Sequence, residues 1–406
     1  MNSGQLGAWS PFQVKMYRAL WFANLGINLG SFTHITAAGW TMTLLTDSAV
    51  LVGAVQTVWA VPGFLLALHS GAIADEFDRR RVVAISQSFA IVFAVVIAIM
   101  QWNDMLTPGI LLGATLAESI ALTIGTPAMI AMTPLVVGRE RLHQALALDS
   151  TTRYLAQALG PAIAGAVIAF VNIGAVYMLN AFALVWVVIL ASSGRLPEAE
   201  RGERSSVTKS IIDGVKFVVS RVELRNNLIR LFVASAVSAS VIGLLPLMAK
   251  NNLGMDASGY GALYASVGVG AVIVVAMLPR IRRSLSEESL VQLSSIVWGA
   301  SIAGAATTTN AGLAMIALGF AGAGLMAMMN VLFTSFLSRL EEWVRGRGSS
   351  ISMFAAWLGA SAGSISWGAL AGGTTVTTAL VGSAVAMVLT TWLGKAALPM
   401  FRAANS

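Results

Sequence analysis

Residues 79–102 read RRRVVAISQSFAIVFAVVIAIMQW. Three arginines precede a run that carries no charge from Val82 to Trp102. A helix of about 20 apolar residues crosses a hydrocarbon core of about 30 Å, so this run predicts a membrane span with Arg79, Arg80 and Arg81 held at one interface. Working outward, the same alternation of apolar run and short polar loop fills the chain. Runs lie near 19–45, 49–72, 82–102, 107–135, 144–170, 174–194, 227–250, 256–279, 289–308, 311–337, 350–372 and 375–398. The expectation is an all-α membrane protein with twelve transmembrane helices.

Composition agrees. Of 406 residues, 57% are hydrophobic and 11% charged, against about 25% charged in a soluble domain. A water-exposed surface cannot be built from so few charges, so lipid is the expected solvent. The 39 glycines suit closely packed membrane helices. The formal charge of +7 is distributed over short loops between spans, which points away from nucleic acid. There is no cysteine and there are three histidines, which excludes disulfides and thiol nucleophiles and argues against a metal-hydrolase site. No Gly-x4-Gly-Lys-Ser/Thr loop is present, so direct ATP drive is not expected. No enzyme constellation is visible.

Basic residues set the orientation. Lys15, Arg18, Arg79 to Arg81, Arg139, Arg141, Arg195, Arg201, Arg204, Lys209, Lys216, Arg221, Arg225, Arg230, Arg280, Arg282, Arg283, Arg339, Arg345, Arg347, Lys395 and Arg402 fall on one side, Lys250 alone on the other, and Arg153 inside a span. The positive-inside rule then places both termini in the cytoplasm and demands an even number of spans. Residues 1–17 read as a cytoplasmic lead-in without a cleavable signal, with an interfacial helix around Phe12 to Arg18. The longest polar stretch, 195–226, separates a first half (1–194) from a second (227–406). Within it Val207, Ile211, Val215, Val218 and Val222 recur at helical spacing, as on an amphipathic surface helix.

The loop after span two carries Gly71, Asp75, Asp78, Arg79, Arg80 and Arg81 at the spacing G-x-x-x-D-x-x-(G/D)-R-(R/K), which resembles the signature of the major facilitator superfamily. Gly160-Pro161-Ala162-Ile163-Ala164-Gly165 resembles the exporter motif G-P-x-x-G-G of its fifth span, and Arg345-Gly346-Arg347 a tripeptide frequent after its tenth. Within the superfamily the chain is most similar to the enterobactin-exporter-like branch of small-molecule efflux proteins, through Asp78 to Arg81, Thr126-Pro127-Ala128, and Leu253-Gly254 before Gly259-Tyr260-Gly261. The resemblance implies two six-helix halves that rock about a central cavity. It also implies a cytoplasmic latch. Asp75 would face the N-terminus of a span beginning near Gly348-Ser349-Ser350, and the arginines would pair with Asp75, Asp78 or Glu140. Gly160 and Pro161 would bend span five and let it pack on Gly268-Val269-Gly270 of span eight. Gly26/Gly30, Gly359/Gly363 and Gly368/Gly372 read as packing seams.

Three ionisable side chains lie deep in spans: His34, Glu118 and Arg153. A charge at mid-bilayer costs at least about 2.5–3.5 kcal/mol, so each needs a partner or water. At 1.5 Å per residue, Glu118 and Arg153 come to similar depth. An ion pair between them is the expected coupling site, with a static bridge as the alternative. His34 is read either as a hydrogen-bonding bridge between helices or as a proton relay. Relatives often carry an acid near Gly30-Ser31-Phe32 and an Arg at the position of Gln157, and this chain has neither. Candidate cavity residues are Asn24, Asn28, Gln56, Trp59, Tyr154, Gln157, Tyr264, Asn330, Phe333 and Trp357, a mixture suited to a semi-apolar ligand.

The expected function is secondary export of a small amphipathic or aromatic compound, siderophore-like or drug-like, across a bacterial plasma membrane by a monomer. It would be driven by proton antiport, with no cofactor. The alternatives are an uncoupled uniporter or lysolipid flippase of the same fold, and a transport-dead receptor or scaffold.

Overall fold

The computed structural model describes residues 7, 9–66, 70, 76–193 and 215–399. All regular structure among them is helical. A 3₁₀ turn (Ser10–Gln13) leads into α1 (Lys15–Leu45), so the expected interfacial helix merges with the first span. There follow α2 (Ala49–Leu65), α3 (Arg79–Trp102), α4 (Pro108–Ile130), α5 (Thr133–Phe170) and α6 (Ile173–Ser192). The second set is α7 (Val222–Leu247), α8 (Ala257–Ile281), α9 (Glu287–Thr307), α10 (Ala311–Ser338), α11 (Glu342–Gly373) and α12 (Val376–Ala397). Besides these twelve, residues 215–220 are also helical, and nine helical segments among the described residues are long and apolar enough to cross a membrane.

Eight of the twelve helices begin at a residue whose side chain caps them. Ser48, Asp78, Thr107, Asn172, Asp256, Ser286, Asn310 and Thr375 each accept a bond from a first-turn backbone N–H. These eight caps satisfy donors that a lipid boundary would leave unpaired. α5 is interrupted at Gly138, whose φ of 70° only a glycine adopts without strain. α7 starts at Val222, so the last residues of the expected 195–226 linker are already helical. Val207 and Ile211 lie outside the described residues. Val218 is fully buried against Leu224, Phe336, Leu340 and Val344.

Packing repeats with a six-helix offset. In the first half α1 packs on α5 and α6, α3 on α4 and α6, and α2 on α4. In the second, α7 packs on α11 and α12, α9 on α10 and α12, and α8 on α10. The two main contacts between halves, α2 with α11 and α5 with α8, map onto each other under the same offset. This is the pattern of two parallel repeats about an axis along the membrane normal. It comes from the small residues read as seams. A Cβ on Gly165 would meet the Ala257 carbonyl oxygen at 2.8 Å, and one on Gly268 would meet the Gln157 carbonyl oxygen at 2.6 Å. The span-five motif therefore does pack on α8, through Gly261 and Gly268. Gly270 instead packs on Gly319 of α10, which corrects that part of the expectation. Gly160 admits Phe32 of α1, and Gly359 and Gly363 admit Phe232 and Ala236 of α7. Gly26 and Gly30 face Ala183 and Asn180 of α6, and Gly368 faces Ala49. Gly372 has open space around it.

The halves meet along α2 with α11, where Phe64 also meets Phe354 edge-on at 5.8 Å, and along α5 with α8. Across this boundary Trp40 stacks on Tyr260 at 5.8 Å, Thr57 donates to the Ser361 carbonyl at 3.1 Å, and Ser364 donates to the Gly53 carbonyl at 2.7 Å. At the basic face the second half is held internally by Arg230 of α7. Its guanidinium grips Glu288 of α9 in two parallel bonds of 2.7 and 2.8 Å and is itself only 5% exposed. Arg230 thus lies inside the bundle.

Candidate functional site

Glu118 sits ten residues into α4 and His34 eleven residues before the end of α1. At 1.5 Å per residue both lie about 15–16 Å from the far face. The structure joins them. His34 Nδ1 stands 3.0 Å from Glu118 Oε2, and both side chains are wholly excluded from solvent. Asn180 of α6 donates from Nδ2 to Glu118 Oε1 at 2.7 Å. His34 Nε2 is 3.3 Å from Thr115 Oγ1, one turn before Glu118 on the same face of α4. The imidazole therefore spans one turn of α4. It is stacked on Trp59 of α2 at 5.5 Å and met edge-on by Tyr177 of α6 at 5.2 Å. Tyr177 Oη lies 3.2 Å from Thr41 Oγ1, and Ser119 donates to the Trp59 carbonyl at 2.6 Å. Four helices of one half thus converge on one acid and one base.

This corrects the expected Glu118–Arg153 pair. Glu118 spends its oxygens on His34 and Asn180, and Arg153 is solvent-exposed. The reason is packing. α4 turns Glu118 to α1 and α6, whereas α5 packs mainly on α1 and α8, so equal depth does not make the two side chains neighbours. Arg153 lies one turn before Gln157 on the side of α5 that turns to α8. Asn180, Thr115 and Tyr177 were missed by the sequence reading. Asn180 carried a signal, as the one amide in the otherwise apolar stretch Ile173–Ser192.

The other candidates divide. Asn28 turns inward, donating to Asn24 Oδ1 at 3.1 Å and Thr152 Oγ1 at 3.2 Å. Gln56, Trp59, Gln157, Phe333 and Trp357 are half-buried, and Trp357 lies against Gly63. Tyr264 is not a wall residue. It is buried inside the second half beside Tyr260. Asn330 is taken by Arg282, which donates to its Oδ1 at 2.9 Å and to Thr334 Oγ1 at 2.6 Å. The side chain of Tyr154 lies outside the described residues.

At the basic face, Gly71, Asp75 and the side chain of Arg345 lie outside the described residues. Asp78 caps α3 and accepts from the Arg80 backbone at 2.9 Å, while Arg80 Nη2 is 3.3 Å from its Oδ2. Partial burial works against the Asp78 charge, but bonds from Arg80 and the charges of Arg80 and Arg81 outweigh it, holding the carboxyl below the usual carboxylate range. Arg79 reaches across to the Ala131 carbonyl at 3.2 Å. Glu140 is exposed and Arg347 half-buried within α11. α11 begins at Glu342, so Gly348 to Ser350 lie inside the helix and offer no free N-terminal donors. The expected anion site there is withdrawn.

Two pseudo-symmetric sets of six helices, with an internal acid and base in one of them, define a membrane transporter of the major facilitator fold. The chain belongs to the family described as transmembrane secretion effector, which matches residues 6–406. It is 24% identical over 283 residues to the staphyloferrin A transporter of Staphylococcus aureus, covering 68% of this chain and 70% of that protein. It is 26% identical over 257 residues to the enterobactin exporter EntS of Escherichia coli O1:K1, covering 62% of this chain and 60% of the relative. Among solved structures it superposes on a POT family transporter in complex with 5-aminolevulinic acid at TM-score 0.77 and 10% identity, covering 98% and 99% of the two chains. A bacterial homologue of the human lysosomal transporter Spinster, inward-facing and occupied, also gives 0.77 at 12% identity, covering 98% and 99%. The protein is a multi-span transporter, not an enzyme.

Proposed function

We propose that this protein exports a small amphipathic or aromatic compound, siderophore-like or drug-like, from a bacterial cytoplasm by proton antiport. The observation that carries the reading is the His34–Glu118 pair. It sits at mid-depth, walled from solvent, with its imidazole stacked on the half-buried Trp59. The pair holds together as imidazolium with carboxylate or as imidazole with carboxylic acid, two forms that differ by the position of one proton. A second proton leaves imidazolium beside a neutral acid. The attraction across the pair is then lost, while the cation keeps its place over the Trp59 face. α1 bears His34 and also packs on α5 and α6, so loosening the pair frees a helix at the centre of its half. The basic face is cytoplasmic by the positive-inside rule. In this reading the halves part and rejoin in turn at the two faces, and the guanidinium of Arg153, exposed on α5, draws in an anionic substrate. The staphyloferrin A and enterobactin relatives favour a siderophore-like ligand.

The test is flux in proteoliposomes with and without a pH gradient, using compounds retained by cells that lack the protein. Wild type should accelerate with the gradient. Glu118→Gln should fold, bind and lose the acceleration. Gradient-independent flux in wild type would instead make the protein a uniporter, and pH-responsive export by Glu118→Gln would remove the pair from the mechanism.

A further inference from the structure

α7 does not end cleanly. Pro246 removes a backbone donor in its last turn, Met248–Asn252 continue as a π-helix, and the chain then turns through Gly254 at a φ of 58°. Local widening of this kind is costly and clusters at working positions. Here it presents Lys250 toward the other half. Its Nζ donates to the backbone carbonyl of Thr43, in the last turn of α1. The Thr46 N–H already takes the Met42 carbonyl, and the Thr43 carbonyl is among the last four of α1, which have no helical donor of their own. A helix C-terminus carries partial negative charge, so an ammonium is the fitting cap. The sequence places Lys250 as the lone basic residue of its face, where the positive-inside rule gives it no orienting task.

We infer that Lys250 is a cap supplied in trans: one half caps the C-terminus of α1 in the other, holding the far face shut. Around it lie Trp40 stacked on Tyr260, and Gly39 beneath the Tyr260 hydroxyl and the Pro246 ring. The apolar contacts set the fit of the seam, and the ammonium adds a directional bond that exists only while the halves touch there. Because α1 also carries His34, the cap and the proton-carrying pair act on one rod, nine residues apart from His34 to the capped carbonyl of Thr43. Lys250 is a positioning residue and touches no substrate. The inference rests on alternating access but not on proton coupling.

The chain has no cysteine, so a single introduced thiol is a clean reporter. Ala257 is 4% exposed, and its carbonyl oxygen packs on Gly165 across the seam, so Ala257→Cys senses separation there. In purified protein without substrate or pH gradient, Lys250→Met should raise maleimide labelling of that thiol about tenfold, the scale of losing one charge-assisted bond. Lys250→Arg, which can still donate, should stay near the wild-type rate. Unchanged labelling in a folded Lys250→Met overturns the inference, as does equal labelling in the Met and Arg variants. If Lys250→Met does not fold, the comparison of Lys250→Gln with Lys250→Arg decides in the same way. A carrier that proves uncoupled in flux would still show this difference.

Discussion

Gly30→Ala tests how tightly α1 and α6 hold the acid. A methyl group at position 30 would lie 3.2 Å from Asn180 Cγ and closer still to its Oδ1. Ordinary carbon contacts need about 3.5–4.0 Å, so the amide must retreat by roughly 1 Å or the helices must part. Asn180 donates to Glu118 at 2.7 Å, and a displacement of that size breaks the bond. Losing a hydrogen bond to a buried charged group costs about 1.5–3 kcal/mol, and overpacking adds about 1–3 kcal/mol. The expected total is about 2.5–6 kcal/mol of stability, read as a lower melting temperature in detergent, with a matching loss of pH-driven flux. A double-mutant cycle separates clash from generic damage. Asn180→Ala removes the obstructed group, so Gly30→Ala should cost much less in that background, with a coupling of about 1–3 kcal/mol. If Gly30→Ala is neutral in the wild-type background, or costs the same with and without Asn180, the packing argument fails and Asn180 is not held by α1.

Two other perturbations probe the frame. Glu288→Ala leaves Arg230 buried without an acid and should destabilise by about 3–5 kcal/mol. Replacing both by apolar residues should recover most of that loss, and thermal melts of the single and double variants check it. Asp78→Ala removes the cap of α3 and should cost about 1 kcal/mol. Since the folded carboxyl is held below its ordinary value, its contribution is complete above about pH 3.9 and is lost as pH falls through the lower folded value. Melts of wild type and Asp78→Ala should therefore differ by a constant amount from pH 5 to 8 and converge only in strong acid.

The expected partnership of Glu118 shows where one-dimensional reading stops. Counting 1.5 Å per residue put Glu118 and Arg153 at similar depth, and the same count applied to His34 would have put it there too. Depth selects a layer of the bilayer, and a layer crosses every helix in the bundle. The partner is chosen by which helices adjoin and how each is rotated about its axis. α4 faces α1 and α6 through Thr115 and Glu118, while Arg153 turns elsewhere on α5. Tyr264 and Asn330 fail for the same reason. Both are polar residues at plausible depth, but rotation puts one against Tyr260 and gives the other to Arg282.

What the sequence determined by itself was everything that follows from the solvent: the spans, their ends at polar loops, the side that carries the basic residues, and the family. Lipid imposes these through hydropathy and charge, which are sums over residues and need no contacts. The glycine seams were also legible, since a missing Cβ announces close approach, but not which helix would approach. Only the tertiary structure decided that His34 answers Glu118, that Asn180 steadies it, and that Lys250 reaches across to α1. Each is a matter of helix rotation within a few ångströms, set by the packing of all twelve helices together.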